Sequence, residues 1–292
     1  MNKSKRAAGF AAIAAGYAAA AFVGLILFGA LKGDVKLRLL AADAVATVVI
    51  YLLSLITENA SFYDPYWSVQ PAVITGTVVI ARGTGSAGTL IFFCILLWSI
   101  RLTANWAYTF HGLAFMDWRY EMLKEKTGKW YPLVNLFGIQ LFPTFVVYCC
   151  TLPAFYAVST GAEANALTYA GAIICAAAVA LQLVSDIDMQ RFRKDAANKG
   201  RIIRTGLWKN SRHPNYLGEI MMWWGVYIMG SSAVPENWYL AAGAVINTVM
   251  FVFISIPMAE KRLRGYKSCF DEYAACTRML LPLPRRNICK QK

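Results

Sequence analysis

The densest group of side chains that could do chemistry lies where a basic loop meets an apolar segment. It comprises Arg212, His213, Asn215, Tyr216 and Glu219. Ionisable groups are costly at a membrane boundary, so they are more often kept there for binding or chemistry than for packing. Pro214 predicts the first turn of a helix, which places Asn215 and Glu219 one turn apart on one face. An Asn side chain can both donate and accept, as a carboxamide or an adenine edge requires. The structural alternative is an Arg-His helix cap in which Glu219 pairs with arginine.

A second group lies upstream, on a predicted helix that continues an apolar segment to Lys194 and is broken at Gly200. Asp186 and Arg193 are seven residues apart there, two turns along one face. Arg193 and Lys194 could bind phosphate, because a guanidinium group offers a planar fork of donors. Asp186 could accept a hydrogen bond from a ribose or an amine. The alternative is an ordinary stripe of ion pairs beside a membrane.

Two further groups place an arginine beside aromatic side chains. Arg101 lies inside an apolar segment near Trp98, where it requires an acidic partner, a phosphate or water. Arg262 and Tyr266 belong to the C-terminal tail, although a charged amphipathic helix on a membrane surface would have the same pattern.

The segment from Glu58 to Ser68 could supply an acid group. It brings the carboxylates of Glu58 and Asp64 close to Tyr66 in sequence. A carboxylate can orient a Tyr hydroxyl, so that the phenol protonates or polarises a carbonyl or an enolate. The alternative is an interfacial aromatic belt in which Asp64 caps a helix.

The composition indicates the elements that must position these groups. The 292 residues are 58% hydrophobic and 15% charged, with a mean hydropathy of +0.45, whereas soluble domains contain roughly 25% charged residues. The net charge of +13 comes mostly from loops between apolar runs, which is typical of membrane topology signals and not of a nucleic-acid-binding surface. With His111 and His213 as the histidines and no Cys-x-x-Cys pair, no metal site is predicted.

Apolar runs of about 20 residues can each cross a bilayer as a helix. The sequence therefore predicts an all-α, polytopic membrane bundle with about seven or eight transmembrane helices, near 8–31, 37–57, 66–81, 88–110, 133–158, 165–185, 216–232 and 237–257. The third is short and contains Pro71, which favours a broken or re-entrant segment. Residues 111–132 are expected to begin with a short interfacial helix, and a basic helix is expected over 258–275.

Loop charges predict that both ends of the chain are cytosolic. Lysines and arginines concentrate in 111–132, 186–215 and the segment from 258 onward, and such loops stay on the cytosolic side. The first apolar run is longer than a signal-peptide core, so an uncleaved helix is expected within 1–35. The domain that follows is expected to span 36–292, in a bacterial inner membrane or the endoplasmic reticulum, with its site open to the cytosol.

Several of these motifs together resemble the steroid 5-alpha-reductase family. They are Ser185-Asp186, Arg193-Lys194, Gly206-Leu207-Trp208, Asn215 to Glu219, Phe270 to Tyr273 and Leu281-Pro282. The segments Trp98 to Thr103 and Asp117 to Tyr120 are closest to the bacterial-type branch of that family. The resemblance covers roughly 50–290 and is densest over 185–282.

The resemblance implies a reductase that binds NADPH from the cytosolic side. Asn215 would hold the nicotinamide carboxamide, and Asp186 and Arg193 the ribose-phosphate part. The full set expected to bind the cofactor is Arg101, Arg119, Asp186, Arg193, His213, Asn215, Tyr216, Glu219, Arg262 and Tyr266. Glu58, Asp64 and Tyr66 are the expected catalytic residues, because Trp98 stands where the family has its catalytic Tyr and cannot donate a phenolic proton.

Two other classes of function remain open. The Arg-His-Pro-x-Tyr-x-Gly outline also resembles membrane methyltransferases of the isoprenylcysteine carboxyl and phospholipid N-methyl type, in which Glu260 and Arg262 would help to bind S-adenosylmethionine. A lipid-binding or transport protein is the third possibility. Asp186 to Lys194 favour NADPH, because a methyl donor without phosphates does not need them. The expected partners are a lipophilic substrate and membrane lipid, without nucleic acid, for a monomeric protein.

Overall fold

The chain is helical in the part that the computed structural model describes, residues 3–283, and that part contains no β-strand. The predicted all-α class is confirmed. The first seven helices are α1 (Lys3–Ala30), α2 (Val35–Ile56), α3 (Tyr66–Arg82), α4 (Ser86–Thr109), α5 (Trp118–Thr127), α6 (Tyr131–Val134) and α7 (Phe142–Thr160). They are followed by α8 (Ala166–Lys194), α9 (Pro214–Ala233), α10 (Ala241–Met250), α11 (Ile256–Tyr266) and α12 (Phe270–Cys276). The end of the predicted basic tail, 284–292, lies outside the described residues.

Six helical segments within residues 3–283 are long and apolar enough to cross a membrane. They are Lys3–Ala30, Val35–Ile56, Ser86–Thr109, Trp118–Thr160, Ala166–Lys194 and Pro235–Tyr266. The predicted third and seventh segments, now α3 and α9, are not among them. α3 has 17 residues, fewer than the roughly 20 that span a bilayer, and α9 carries Asn215 and Glu219. The chain is a multi-pass membrane protein, while its count of seven or eight spans stays a prediction.

Large apolar side chains on the outside of these helices agree with a membrane environment. Phe22 in α1 is 65% exposed, Ile80 in α3 is 87% exposed, and Phe253, between α10 and α11, is 72% exposed. Surfaces of this kind are avoided in water because they aggregate. Contact with lipid removes that cost.

The helices group into two compact units. Unit 1 comprises Met1–Arg82 and Ser99–Thr151, and unit 2 comprises Gly83–Trp98 and Leu152–Lys292. The boundaries fall inside α4 and α7, so each of these helices contributes residues to both units.

In unit 1, α1 packs along α2 through small residues. A Cβ atom on Gly16 would lie 2.7 Å from a Leu53 methyl group, and one on Gly24 would lie 3.2 Å from the Ala42 carbonyl oxygen. Small residues allow such close approach of helix backbones in membranes. The Asp34 side chain begins α2 by accepting a hydrogen bond from the Lys36 amide at 2.8 Å.

Buried amide side chains connect α2 to a π-helical segment, Asn135–Leu141, between α6 and α7. The Nδ2 atom of Asn135 and the Nε2 atom of Gln140 each donate to the Ser54 hydroxyl at 3.0 Å. Polar groups in a low-dielectric interior are costly without partners. These bonds therefore fix the register of the π-helical turn against α2.

In unit 2, α8 and α9 pack closely because glycines face each other. A Cβ atom on Gly218 would lie 2.8 Å from the Ala178 carbonyl oxygen, and one on Gly225 would lie 2.9 Å from the Gly171 carbonyl oxygen. Either position would clash with backbone if it carried a side chain. Gly218 therefore allows the close approach of α8 to α9.

The predicted boundaries are mostly confirmed. α8 continues to Lys194, α9 begins at Pro214, and α5 provides the expected short helix within 111–132. Two expectations are wrong. The predicted helix over 258–275 is two helices, because Lys267 leaves the helical conformation after α11. α3 continues through Pro71, so the broken form of the third segment is wrong, while the re-entrant form stays a prediction.

Candidate functional site

An open cavity of about 380 Å³ lies at one end of unit 2. The end of α8, the loop that follows it, and α11 and α12 provide its lining. Its polar and aromatic residues are Arg193, Asp195, Asn198, Lys199, Trp208, Arg212, Tyr266, Lys267 and Tyr273. Two residues of the predicted cofactor set, Arg193 and Tyr266, therefore meet in one cavity, although they are 73 positions apart in the sequence.

The cavity is strongly basic. Arg193, Lys199, Arg212 and Lys267 line it, against the single carboxylate of Asp195 among its described lining residues. Partial burial lowers the pKa of the Lys267 amine, and the nearby positive charge of Arg193 lowers it further. Cations held this close repel one another, so an anionic ligand would relieve the repulsion.

Glycine conformations and two hydrogen bonds fix the loop that forms one wall of the cavity. Gly200 and Gly206 adopt φ angles of +80° and +53°, which other residues rarely tolerate. The indole N–H of Trp208 donates to the Ser185 carbonyl oxygen at 3.0 Å. The Tyr273 hydroxyl donates to the Trp208 carbonyl oxygen at 2.7 Å, so α12 fixes the same Trp.

Arg212 and His213 share a buried carboxylate, which belongs to Glu260. The Arg212 Nε atom lies 2.7 Å from Glu260 Oε1, and the His213 Nε2 atom lies 3.0 Å from the same oxygen. Arg212 also donates to the carbonyl oxygens of Ala274 and Thr277. The alternative in which Glu219 pairs with arginine is therefore wrong for Arg212, because the folded tail brings Glu260 closer.

Glu219 lies instead in an aromatic interior. Its Oε2 atom accepts hydrogen bonds from the Trp98 indole at 3.0 Å and from Gln182 Nε2 at 2.7 Å. Its Oε1 atom accepts from the Trp223 indole at 3.1 Å. The carboxylate thus joins α4, α8 and α9 within unit 2, and Trp98 serves as a hydrogen-bond donor to it.

The remaining cofactor candidates of unit 2 do not line the cavity. Asp186 and Asn215 are half-buried, and Arg262 is exposed with its guanidinium 5.9 Å from the Tyr266 ring centroid. None of these three is among the residues that line the cavity. Tyr216 stacks on His213, with ring centroids 5.3 Å apart.

The candidates of unit 1 form a different arrangement. Asp64 accepts a hydrogen bond from the Tyr120 hydroxyl at 2.7 Å, and Arg119 pairs with Asp117 at 2.8 Å. Burial raises the pKa of Asp64 to about 6, against the opposing effect of Arg119. Glu58 is exposed at a φ of +51°. Arg101 is a half-buried residue of the same unit.

Tyr66 does contact a carboxylate, but that carboxylate belongs to Asp43. Its hydroxyl donates to Asp43 Oδ1 at 2.9 Å, and the amide of Gln70 donates to Oδ2 of the same side chain. Sequence reasoning missed Asp43. The available signal was a lone carboxylate in the middle of the second apolar run, since such groups are functional candidates by default.

Comparison with known proteins identifies the family. The model of the family described as "Protein of unknown function (DUF1295)" matches residues 50–277. The chain belongs to the DUF1295 family. This family includes steroid 5-alpha-reductase-like proteins, so the predicted resemblance is confirmed at that level. The bacterial-type branch stays a prediction.

This DUF1295 protein is also similar to a curated protein of Schizosaccharomyces pombe, the uncharacterized protein C594.04c. The two are 26% identical over 251 residues, which cover 76% of this chain and 70% of the yeast protein. No solved structure matches the chain significantly. Neither the description of the family nor the name of the yeast protein includes an activity.

Proposed function

We propose that this protein is an NADPH-dependent membrane reductase that transfers a hydride to the C=C bond of a lipophilic enone, either steroid-like or isoprenoid-like. The observation that carries the proposal is the basic cavity of unit 2. Its volume of about 380 Å³ falls within the usual range for small-molecule sites, roughly 300–1,000 Å³.

The lining residues have the chemistry that a phosphorylated dinucleotide requires. The Arg193 guanidinium can hold a phosphate with two parallel hydrogen bonds, and Lys199 and Lys267 add point charges beside it. Tyr266 is 56% exposed and can offer its face to a base or a nicotinamide ring. S-adenosylmethionine carries no phosphate and is itself a cation, so this cluster does not favour it.

Among the expected catalytic residues, all of them in unit 1, Asp64 has the environment best suited to an acid. NADPH, when bound, supplies the hydride, and the substrate carbonyl then needs a proton donor or a hydrogen bond as its oxygen becomes negative. A carboxyl group whose pKa is about 6 remains partly protonated near neutral pH, which suits a general acid. The Tyr120 hydroxyl holds it in place. Tyr66 ranks behind it, because its own proton is directed to Asp43.

Ligand-dependent thermal stability tests the proposal. Purified protein in detergent is titrated with NADPH and, separately, with S-adenosylmethionine. NADPH should raise the melting temperature in a saturable way. Stabilisation by the methyl donor alone would identify a methyltransferase and refute the reductase.

A pair of variants on α8 tests whether the cavity is the binding site. Arg193→Gln should weaken NADPH binding about 10-fold or more, the typical loss of a charge-assisted hydrogen bond. Arg191→Gln is the matched control, because Arg191 is exposed on the same helix and does not line the cavity. Equal affinities in the two variants would place the cofactor elsewhere.

A further inference from the structure

A buried polar cluster in unit 1 contains none of the residues that line the basic cavity. Asp43 lies near the middle of α2, and Tyr66 and Gln70 are one turn apart at the start of α3. Tyr66 donates to Oδ1 of Asp43, and Gln70 donates to Oδ2. All three side chains are more than nine-tenths buried, with exposures of 7%, 8% and 5%.

The carbonyl oxygen of Gln70 is the feature that points to a ligand. This Oε1 atom is buried and has no hydrogen-bond partner among the described residues. Its own amide nitrogen is committed to Asp43, and so is the proton of Tyr66. A buried acceptor without a donor costs about 1–3 kcal/mol. The cluster therefore offers an acceptor that only a group with an O–H or N–H can satisfy.

The surroundings limit the ligand to a lipophilic molecule. Tyr66 belongs to an apolar cluster with Ile50, Phe62 and Tyr63, and its ring meets the ring of Tyr17 edge-on at 5.6 Å. Both oxygens of Asp43 already accept hydrogen bonds. Entry of an ammonium group into these apolar surroundings would cost far more hydration than entry of a neutral hydroxyl group.

Gln140 shows why this site differs from an ordinary buried amide. Its Oε1 atom also has no partner in the described part of the chain. However, Gln140 is 0% exposed, and its nitrogen donates to the neutral groups of Ser54 and Asn135. The amide nitrogen of Gln140 is thus held by neutral groups, whereas the amide nitrogen of Gln70 is held by a carboxylate.

We propose that Asp43, Tyr66 and Gln70 form a binding site for the hydroxyl group of a lipophilic alcohol, with the Gln70 carbonyl oxygen as the acceptor. Asp43 orients the amide so that this oxygen faces the ligand, and Tyr66 closes the site with its ring. The site needs no NADPH and does not depend on the proposed reductase activity.

Photolabelling of the wild-type protein in lipid nanodiscs tests this assignment. The probe is a C16 alcohol that carries a diazirine and an alkyne, compared with its methyl ether and with the corresponding primary amine. The alcohol should label peptides from α2 and α3 saturably, and unlabelled alcohol should compete at least 5-fold better than either analogue, because the ether has no proton to donate. Equal competition by the ether, a preference for the amine, or labelling confined to other helices would each overturn the proposal.

A pair of buried amide variants adds a second comparison. Gln70→Leu should lower the affinity for the alcohol at least 5-fold, while Gln140→Leu, the same substitution in the same unit, should leave it unchanged. The comparison of alcohol with ether in the wild-type protein remains decisive if Gln70→Leu fails to fold. NADPH binding is measured separately, so failure of one proposal leaves the other testable.

Discussion

At the scale of single residues, the carboxylates of Glu260, Glu219 and Asp64 are satisfied in three different ways. Glu260 faces the cation of Arg212, Glu219 faces the N–H groups of Trp98, Trp223 and Gln182, and Asp64 faces the Tyr120 hydroxyl. A cation, a set of neutral donors and a phenol stabilise the ionised form to different degrees. The three groups should therefore respond differently to substitution and to pH.

Asp64 should make stability depend on pH. Burial raises its pKa to about 6, above the ordinary value of about 3.9, so the folded state prefers the protonated carboxyl group. Its contribution to stability is complete below about pH 4 and is lost as the pH rises through about 6. Asn at this position stays neutral at every pH. The melting temperature of Asp64→Asn, relative to that of the wild-type protein, should therefore increase from about pH 4.5 to about pH 7.5.

Asp34→Asn provides the control for that experiment. Asp34 is exposed, and the amide of Lys36 lowers the pKa of its carboxyl group, so it titrates below the same window. The melting temperature of Asp34→Asn should change with pH as that of the wild-type protein does between about pH 4.5 and about pH 7.5. A parallel response of Asp64→Asn would show that Asp64 does not titrate there.

Glu219→Gln should destabilise unit 2. The carboxylate accepts three N–H donors through two oxygens, and an amide replaces one of those oxygens with a donor. At least one N–H group would then face an NH₂ group, at a cost of about 1–3 kcal/mol. Thermal unfolding in detergent measures the loss. Glu236→Gln, at an exposed position, should show none, and equal melting temperatures of the two variants would contradict the assignment.

At the scale of elements, the contact of α8 with α9 depends on glycine. Gly218→Ala would place a methyl group 2.5 Å from Gln182 Cγ and 2.8 Å from a backbone oxygen. Overpacking of this kind costs about 1–3 kcal/mol, and it would also shift the N-terminal turn of α9 that carries His213. The melting temperature should therefore fall.

Gly29→Ala in α1 is the matched control for helix propensity. A Cβ atom at Gly29 has no neighbour within 4 Å, and alanine favours a helix by about 1 kcal/mol over glycine. This variant should be as stable as the wild-type protein or slightly more so. A loss equal to that of Gly218→Ala would mean that packing against α8 is not the cause.

At the scale of the whole molecule, the orientation of the helices across the membrane stays a prediction. The basic cavity and residues 186–215 are expected to face the cytosol because lysines and arginines concentrate there. A cysteine introduced at Asn198, in a background without native cysteines, should react with an impermeant maleimide only after cell permeabilisation. One introduced at Ala162 should react in intact cells. The reverse pattern would invert the topology.

The predicted partners belong to this scale as well. A monomer that binds a lipophilic substrate and membrane lipid stays a prediction, as does the choice between a bacterial inner membrane and the endoplasmic reticulum. Retention of the NADPH-dependent stabilisation in nanodiscs that hold one chain each would support the monomer. If the stabilisation by NADPH disappeared in single-chain nanodiscs, binding would require a second copy of the chain.

The sequence alone determined the helices, because a backbone in lipid must satisfy its own hydrogen bonds and apolar runs of sufficient length therefore become helices. Pro214 marked the start of α9 and the charges of 186–194 marked the extension of α8, since both are local effects. Only the tertiary structure decided which side chains meet. Arg193 and Tyr266 line the same cavity, Arg212 forms an ion pair with Glu260, and the Tyr66 hydroxyl donates to Asp43. These residues are far apart in the chain, and their contacts follow from how glycines and buried amides let the helices pack, which no local spacing encodes.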